Sequence, residues 1–564
     1  MSNQKISGGE ALMRAFIAEK VETIFGYPGG AIMPAYDALY DFRDQLRHVL
    51  VRHEQGATHA AQGYARVTGK TGVVLVTSGP AATNVITGVT DAMIDSTPLV
   101  VITGQVVSSL LATDAFQETD VVGITQPITK WSYQIRNASE IAWAVARAFY
   151  IAREGRPGPV VLDLTKNAQS ELTDFDYQPC SYIRSYVPIS KPNSLHIEEA
   201  AKLINTAQRP YALVGQGVIL GNAEKELIAF LEKAQIPAAC TLLGLSALSS
   251  QHPLFKGMPG MHGNYGCNIK INECDVLIAI GMRFDDRITS NLDSFAKQAT
   301  IIHFDIDPAE IDKNVIADVP ILGNVKETLP LVTELLTPIR HDEWISSFDS
   351  YDAIEYEEVI KEETEPTSID IKMGEVVKKI SEATHHKAVL VTDVGQNQMM
   401  GARYSKFSQS RSFVTSGGLG TMGFGLPAAI GAKVGVPNRT VCLFSGDGGF
   451  QMTMQELGTI MQERLGVKII ILNNSFLGMV RQWQEMFFDE RYSFTTMHNP
   501  DFVAIAAAYD IKGKHATTHE ELNEAIEEMF QDDAPYLLEV KIEAKGMVFP
   551  MVPSGASISD VRLK

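Results

Sequence analysis

The chain alternates short, mainly apolar runs with segments in which apolar side chains recur every three or four positions. The runs at 73–77, 99–103, 160–164, 210–214, 276–280, 301–304, 441–444 and 467–472 have no polar face. That is the pattern of strands covered on both sides. Between runs, residues 8–20, 31–39, 55–67 and 424–434 carry a helical period. The alternation predicts an α/β protein built from parallel sheets with right-handed crossovers.

The run at 441–444 leads to the most informative chemistry. It breaks at Gly446-Asp447-Gly448, and Met452, Met454, Leu457, Ile460 and Met461 follow near helical spacing. The next run, 467–472, ends in Asn473-Asn474. A βαβ unit delivers both polar ends to one sheet edge, where open α/β sheets bind ligands. A carboxylate from Asp447 and an amide oxygen from Asn474 are hard donors that suit magnesium. Gly446 and Gly448 let backbone N–H groups approach a diphosphate.

Length predicts several domains. The pattern divides into residues 1–185, 190–337, an acidic stretch at 338–372 and residues 373–564. The acidic stretch reads as a solvated connector with helical content, and the tail from Phe549 as a mobile segment near the site. In the second unit the runs open into Gly215 and Gly217, then Arg283 and Arg287, then Asp305. Strands ending in glycine or aspartate suit a dinucleotide, and an arginine pair can hold phosphate or carboxylate. His262 on its own is an ordinary loop histidine. Glu54 stands where a strand gives way to a helix, and alone it fits a carboxylate favoured by a helix N-terminus. Residues 418–423 match G-x-G-x-x-G and keep an NAD dehydrogenase open, though that leaves Gly-Asp-Gly…Asn-Asn and Glu54 unexplained.

Composition narrows the classes. A hydrophobic content of 45% supports ordinary packed cores, and a formal charge of -19 argues against a nucleic-acid surface. The five cysteines are scattered without a CxxC pair, so neither a disulfide framework nor a zinc site is expected. The first residues lack the order of a signal or transit peptide, and no apolar stretch reaches spanning length. A cytoplasmic protein with no membrane partner is the expectation.

The Gly-Asp-Gly…Asn-Asn unit resembles the thiamine diphosphate motif. FGYPGGAI, RHEQGA, TSGP, DAFQE, GRPGPV, GMHG, RFDDR, FDIDPAEI, SGGLGTMGFGLPAAIGA, GDGGFQM and NNSFLGMVRQWQ extend the likeness over nearly the whole chain. The chain resembles the large catalytic subunits of the acetohydroxyacid synthases, also called acetolactate synthases. The resemblance implies three flavodoxin-like or Rossmann-like domains with parallel sheets, binding pyrimidine, FAD and diphosphate in that order. It implies 2-keto acid substrates, a homodimer or homotetramer with sites between subunits, and a possible small regulatory subunit. Glu54 would activate the aminopyrimidine. Asp447, Asn474 and the backbone carbonyl of Phe476 would hold magnesium. Gly420, Met422, Gly446, Gly448, Gly478 and Met479 would contact thiamine diphosphate, Met422 propping its bent form. Gly30 and Gln117 would face the reacting carbonyl, Trp483 the second keto acid and Arg287 its carboxylate. Taken without the family, Met422 and Trp483 fit core positions equally well. Arg156, Gly215, Gly217, His262, Arg283, Asp305 and Asn324 would bind FAD. A flavin-free synthase, a simple 2-keto acid decarboxylase and an inactive nucleotide-binding relative are the rivals. Ala81, where the family has a turn glycine, and Asn324, where it has an aspartate, are departures; the first removes backbone freedom and the second touches the flavin segment.

Overall fold

A computed structural model describes residues 5–188 and 191–564. The expected start of the central domain at residue 190 lies outside the described residues. Three six-stranded sheets account for nearly all the strands, and Ile6–Ser7 pairs antiparallel with Leu172–Thr173. Every pairing within the three large sheets is parallel, as the apolar runs require.

The first sheet runs Arg47–Leu50, Thr23–Tyr27, Gly72–Val76, Leu99–Gln105, Pro159–Thr165, Trp131–Ile135 from edge to edge. The third runs Phe413–Val414, Val389–Thr392, Val441–Gly446, Val467–Asn473, Tyr536–Lys541, Lys512–Ala516. Numbered within each sheet, both have the order 2-1-3-4-6-5. The central sheet runs Phe255–Gly257, Ala238–Cys240, Pro210–Val214, Val276–Ile280, Thr300–Asp305, Val319–Leu322, which is 3-2-1-4-5-6. That is the dinucleotide-binding order. The outer sheets are therefore copies of one plan and the central sheet follows another. In all three, the order reverses beside the strand that comes first in sequence, and strand tips at such a point open a crevice.

The first and third units dock through two helices, Glu54–Thr68 and Gly425–Gly435. Ala57, Ala60 and Ala61 face Ala428, Ala429 and Ala432, all buried in one shared core. A Cβ at Gly63 would stand 2.0 Å from the Ala428 carbonyl oxygen, and one at Gly431 would stand 1.7 Å from that of Ala60. Only glycine permits this approach. The first helix starts at the His53 ring, which accepts from the Gln55 amide, and stops at Gly69 in the left-handed region.

Three sequence expectations are corrected. The 338–372 stretch is not a solvated connector. Trp344 and Phe348 are buried against the central domain, the Trp344 indole donates to the Pro210 carbonyl at 2.8 Å, and Glu355 forms a fully buried ion pair with Arg403. Most of its acidic residues, among them Asp342, Glu343, Asp349, Glu357 and Glu358, are exposed, while the buried sides of the short helices carry Trp344 and Phe348. The tail from Phe549 is packed as well. Met551, Val552 and Ile558 are buried, and the Val552 amide donates to the Met261 carbonyl at 2.8 Å. Small residues mask that apolar period in the sequence. Ala81 sits inside the helix Pro80–Asn84, and the positive φ of its turn belongs to Gly79 at 58°, so no backbone freedom is lost there. The segment after Gly448 divides into Asp447–Thr453, a 3-10 turn Met454–Glu456 and Leu457–Glu463. Leu457 and Ile460 are buried there, while Met452 is 55% exposed.

Asp163 is a polar node inside the first sheet. It accepts from the Thr103 hydroxyl at 2.8 Å and from the amides of Gln134 and Gln105 at 2.9 and 3.1 Å. Gln105 also donates to the Thr119 carbonyl, which ties down the loop carrying Gln117. Burial pushes the Asp163 carboxyl up to about 6.

Valine at Gly431 should force the docking helices apart and lower the thermal midpoint by about 5 °C or more; an unchanged melting curve would overturn this account of the interface. Asp163 binds its proton more tightly folded than unfolded. Its stabilising contribution is present below the unfolded value of 3.8 and is lost as pH rises through about 6. Between about pH 4 and about pH 7, the difference in thermal midpoint between wild type and Asp163→Asn should shift towards the variant, by up to about 3 kcal/mol in stability. A difference independent of pH would exclude this.

Candidate active site

Asp447, Asn474 and Phe476 line one small cavity of about 60 Å³ at the reversal point of the third sheet. Gly446 and Leu472 are register partners on adjacent strands, so Asp447 and Asn474 follow from neighbouring tips. Asp447 is buried, and burial raises its carboxyl above the ordinary range. Its Oδ2 accepts from Asn499 at 2.6 Å. The Asn474 amide nitrogen donates to Gln396 Oε1 at 3.3 Å, which turns its Oδ1 to accept from the Phe476 amide at 3.0 Å. A Cβ at Gly478 would stand 2.2 Å from Gln396 Oε1.

Three helices start at this cavity: Gln396–Tyr404, Asp447–Thr453 and Gly478–Phe487. None is capped by a side chain. Their free N–H groups and dipoles favour an anion. Yet no lysine or arginine lines the cavity, and Asp447 is its one charged residue. Asn397 also lines it and presents a buried Oδ1 with no partner. Carboxylate, amide oxygens and uncapped N–H groups fit a diphosphate held through a divalent cation. Met422, Gly446, Gly448 and Met479 complete the walls.

The structure does not bring Glu54 to this cavity. No residue before Met373 lines it. Glu54 is half-buried at the tip of the first sheet, where Asn84 donates to its Oε2 at 2.9 Å. Gly30 is exposed on the same edge, and Gln117 lies with φ 60° against Gly79.

A larger cavity of about 640 Å³ lies between all three units. It gathers Arg156 from the first, Gly217, His262, Arg283, Arg287, Asp305 and Asn324 from the second, and Gly420, Met479 and Trp483 from the third. Val394, Gly395 and Met479 wall both cavities, so the two adjoin. Gly215 stands behind the wall, where a Cβ would meet the Gly281 carbonyl at 2.2 Å. Arg156 is engaged by Glu310 at 2.6 Å and Asp307 at 3.3 Å. Burial pushes the Asp305 carboxyl up to about 6 and the His262 imidazole down to about 4, so His262 contributes shape and not charge. Asn324 caps the helix Val325–Leu335 by accepting from Lys326 at 3.0 Å. Asparagine and aspartate cap alike, so this departure leaves the helix start intact.

At the 418–423 segment the expected phosphate position is already filled. Both oxygens of Asp393 accept from the Gly423 amide, and one also accepts from Gly425 at 2.9 Å. The glycines at 418 and 420 instead line the larger cavity. Sequence reasoning missed Gln396, Asn397, Asp393, Asn84 and Asn499. The first three follow the apolar run at 389–392, a signal used elsewhere in the chain and overlooked there. Asn499 lies in an irregular loop and carries no signal.

Family models match three consecutive stretches. They are the thiamine pyrophosphate enzyme N-terminal TPP binding domain over residues 6–124, the central domain over 197–332 and the C-terminal TPP binding domain over 393–540. The acetolactate synthase isozyme 2 large subunit of Escherichia coli is 44% identical over 557 residues, covering 99% of each chain. The acetolactate synthase large subunit of Lactococcus lactis is 44% identical over 553 residues, covering 97% of this chain and 95% of its own. That of Corynebacterium glutamicum is 43% identical over 571 residues, covering 99% and 90%. With the similarity running from end to end through all three domains, the chain belongs to the thiamine pyrophosphate enzymes, among the acetolactate synthase large subunits.

Proposed function

We propose that this chain is the catalytic subunit of an acetolactate synthase working with thiamine diphosphate, magnesium and FAD. It joins two 2-keto acids with loss of carbon dioxide. Pyruvate gives 2-acetolactate, and 2-oxobutanoate as the second acid gives 2-aceto-2-hydroxybutanoate, the entry to valine, leucine and isoleucine. The observation that carries the reading is the small cavity, where three uncapped helix starts meet one carboxylate and no cationic side chain. Such a site holds a diphosphate through a metal. Asp447, Asn474 and the Phe476 carbonyl are assigned to that metal, and Gly446, Gly448 and Gly478 to close backbone approach. Thiamine diphosphate, when bound, supplies a thiazolium carbon that adds to a keto acid and accepts the electron pair left by carbon dioxide.

The protein residues bind, orient and move protons. Glu54 would hold the proton at an aminopyrimidine ring nitrogen, and Met422 would support the cofactor. The Gly30 amide and Gln117 face the reacting carbonyl, while Trp483 and Arg287, in one cavity, receive the second acid. Excluding water prevents protonation to acetaldehyde. The reaction is redox-neutral overall, so FAD in the larger cavity has a structural part. The cavity's three-domain walls favour this over a flavin-free synthase.

A second copy supplies Glu54. Within one chain Glu54 lines neither cavity, and no residue before Met373 lines the small one that Met422 walls. Phe116 is 87% exposed near one half-site and Phe494 is 98% exposed near the other, surfaces suited to a two-fold partner. Whether two or four copies assemble, each pair forms two sites. The relatives are named large subunits, which supports a small-subunit partner. Among the described residues no helix is long and apolar enough to cross a membrane.

Glu54→Gln should lower kcat by about 100-fold or more while calorimetry still detects cofactor binding. Asp447→Ala should instead weaken magnesium-dependent cofactor retention by more than about 100-fold. Equal turnover in the first variant, or equal retention in the second, would refute the assignment. Purified protein should carry flavin absorbance, and pyruvate should yield acetolactate only with both thiamine diphosphate and magnesium. Acetaldehyde as the main product would point to a simple decarboxylase.

A further inference from the structure

Glu456 ends the 3-10 turn Met454–Glu456 and is fully buried. Its Oε1 accepts from the backbone amides of Arg52 and His53, both at 3.0 Å. Its Oε2 accepts from the Thr459 hydroxyl at 2.7 Å. Among the described residues it forms no ion pair. A Cβ at residue 56 would stand 2.5 Å from Oε1, so Gly56 makes room for this carboxylate. Arg52 grips the same region from its side chain, donating to the Gly458 carbonyl and to Gln462 Oε1, each at 2.9 Å.

The helix beginning at Glu54 does not need Glu456 as its cap, because the His53 ring already accepts from Gln55. The two amides that Glu456 holds belong to the turn before the helix. Burying a carboxylate without a cation is costly. Here the return is a fixed path for the residues that aim Glu54.

We propose that Glu456 is a positioning residue for Glu54. The inference rests on the reading of Glu54 as the activating acid. The C-terminal domain of each chain then braces, from behind, the acid that this chain presents to its partner's cofactor. The same continuous segment, 447–456, begins at the metal carboxylate of the chain's own site. A short helix and the 3-10 turn that follows it thus join the anchor of one active site to the support of the other.

The test uses the full-length holoenzyme in three forms: Glu456→Ala, Glu456→Gln, which keeps an acceptor oxygen, and Glu54→Gln. Four quantities are measured: kcat and KM for pyruvate, affinity for magnesium thiamine diphosphate, exchange of the thiazolium proton for deuterium, and backbone amide exchange in the peptide spanning residues 50–56. In Glu456→Ala, kcat and thiazolium exchange should both fall by about tenfold or more, the scale expected for losing outer support of a functional group. KM and cofactor affinity should stay within about threefold, and the amides of Arg52 and His53 should lose protection. Glu456→Gln should restore kcat to within about threefold of wild type. Wild-type thiazolium exchange in Glu456→Ala, or a Glu456→Gln variant as slow as Glu456→Ala, overturns the proposal. If Glu456→Ala does not assemble, Glu456→Asp carries the test; its shortened acceptor should lower kcat, and wild-type kcat there overturns the proposal. Wild-type exchange in Glu54→Gln would instead strike the underlying assignment of Glu54.

Discussion

The close approach of two helices stripped of bulky side chains governs the placement of the functional groups. Alanine and glycine faces on Glu54–Thr68 and Gly425–Gly435 bring the backbones within reach of each other's carbonyls. Small side chains give up burial area, and dispersion between closely packed backbones replaces it. The docking fixes two structurally equivalent sheets in one orientation. It leaves Glu54 outside the cavity that Met422 lines, the separation that the proposed second copy would close.

Electrostatics divides the two cavities. The smaller has oriented peptide dipoles and one buried carboxylate, a combination that attracts phosphate only once a cation bridges it. The larger has arginines at its rim, but Arg156 is already paired with Glu310 and Asp307. Its acidic end, with Asp305, faces hydroxyl-bearing ligands more readily than phosphate. The two adjoin at Val394, Gly395 and Met479, so a ligand in one borders the other.

Much of this was legible in the sequence. Apolar runs such as 210–214 and 276–280 match their strands end to end, because a strand covered on both faces tolerates a polar residue only where partners satisfy it, as at Asp163. Asp447 and Asn474 were legible because chain topology alone brings the tips of adjacent parallel strands together. The edge strand Lys512–Ala516, reading KGKHA, was not, since an edge next to solvent needs no apolar pattern. The order of the central sheet was also hidden, because strand order depends on crossovers and leaves no local mark. Trp344, Phe348 and Glu355 show why the acidic stretch misled: average charge hides which side of a short helix faces inwards. Asn499 reaches Asp447 from an irregular loop, and only three-dimensional placement reveals it.

The Glu355–Arg403 pair has a consequence for the chain as a whole. It joins the 338–372 strap to the helix Gln396–Tyr404, whose first residues wall the smaller cavity, while Asn264 of the central unit donates to the same carboxylate at 3.0 Å. Freeing the strap or that helix strands a charge in a medium that cannot solvate it, and freeing Asn264 takes a donor from the buried carboxylate. The strap is thereby a keystone between the central and C-terminal modules: a central module excised without it would expose the Tyr211 ring that Phe348 covers.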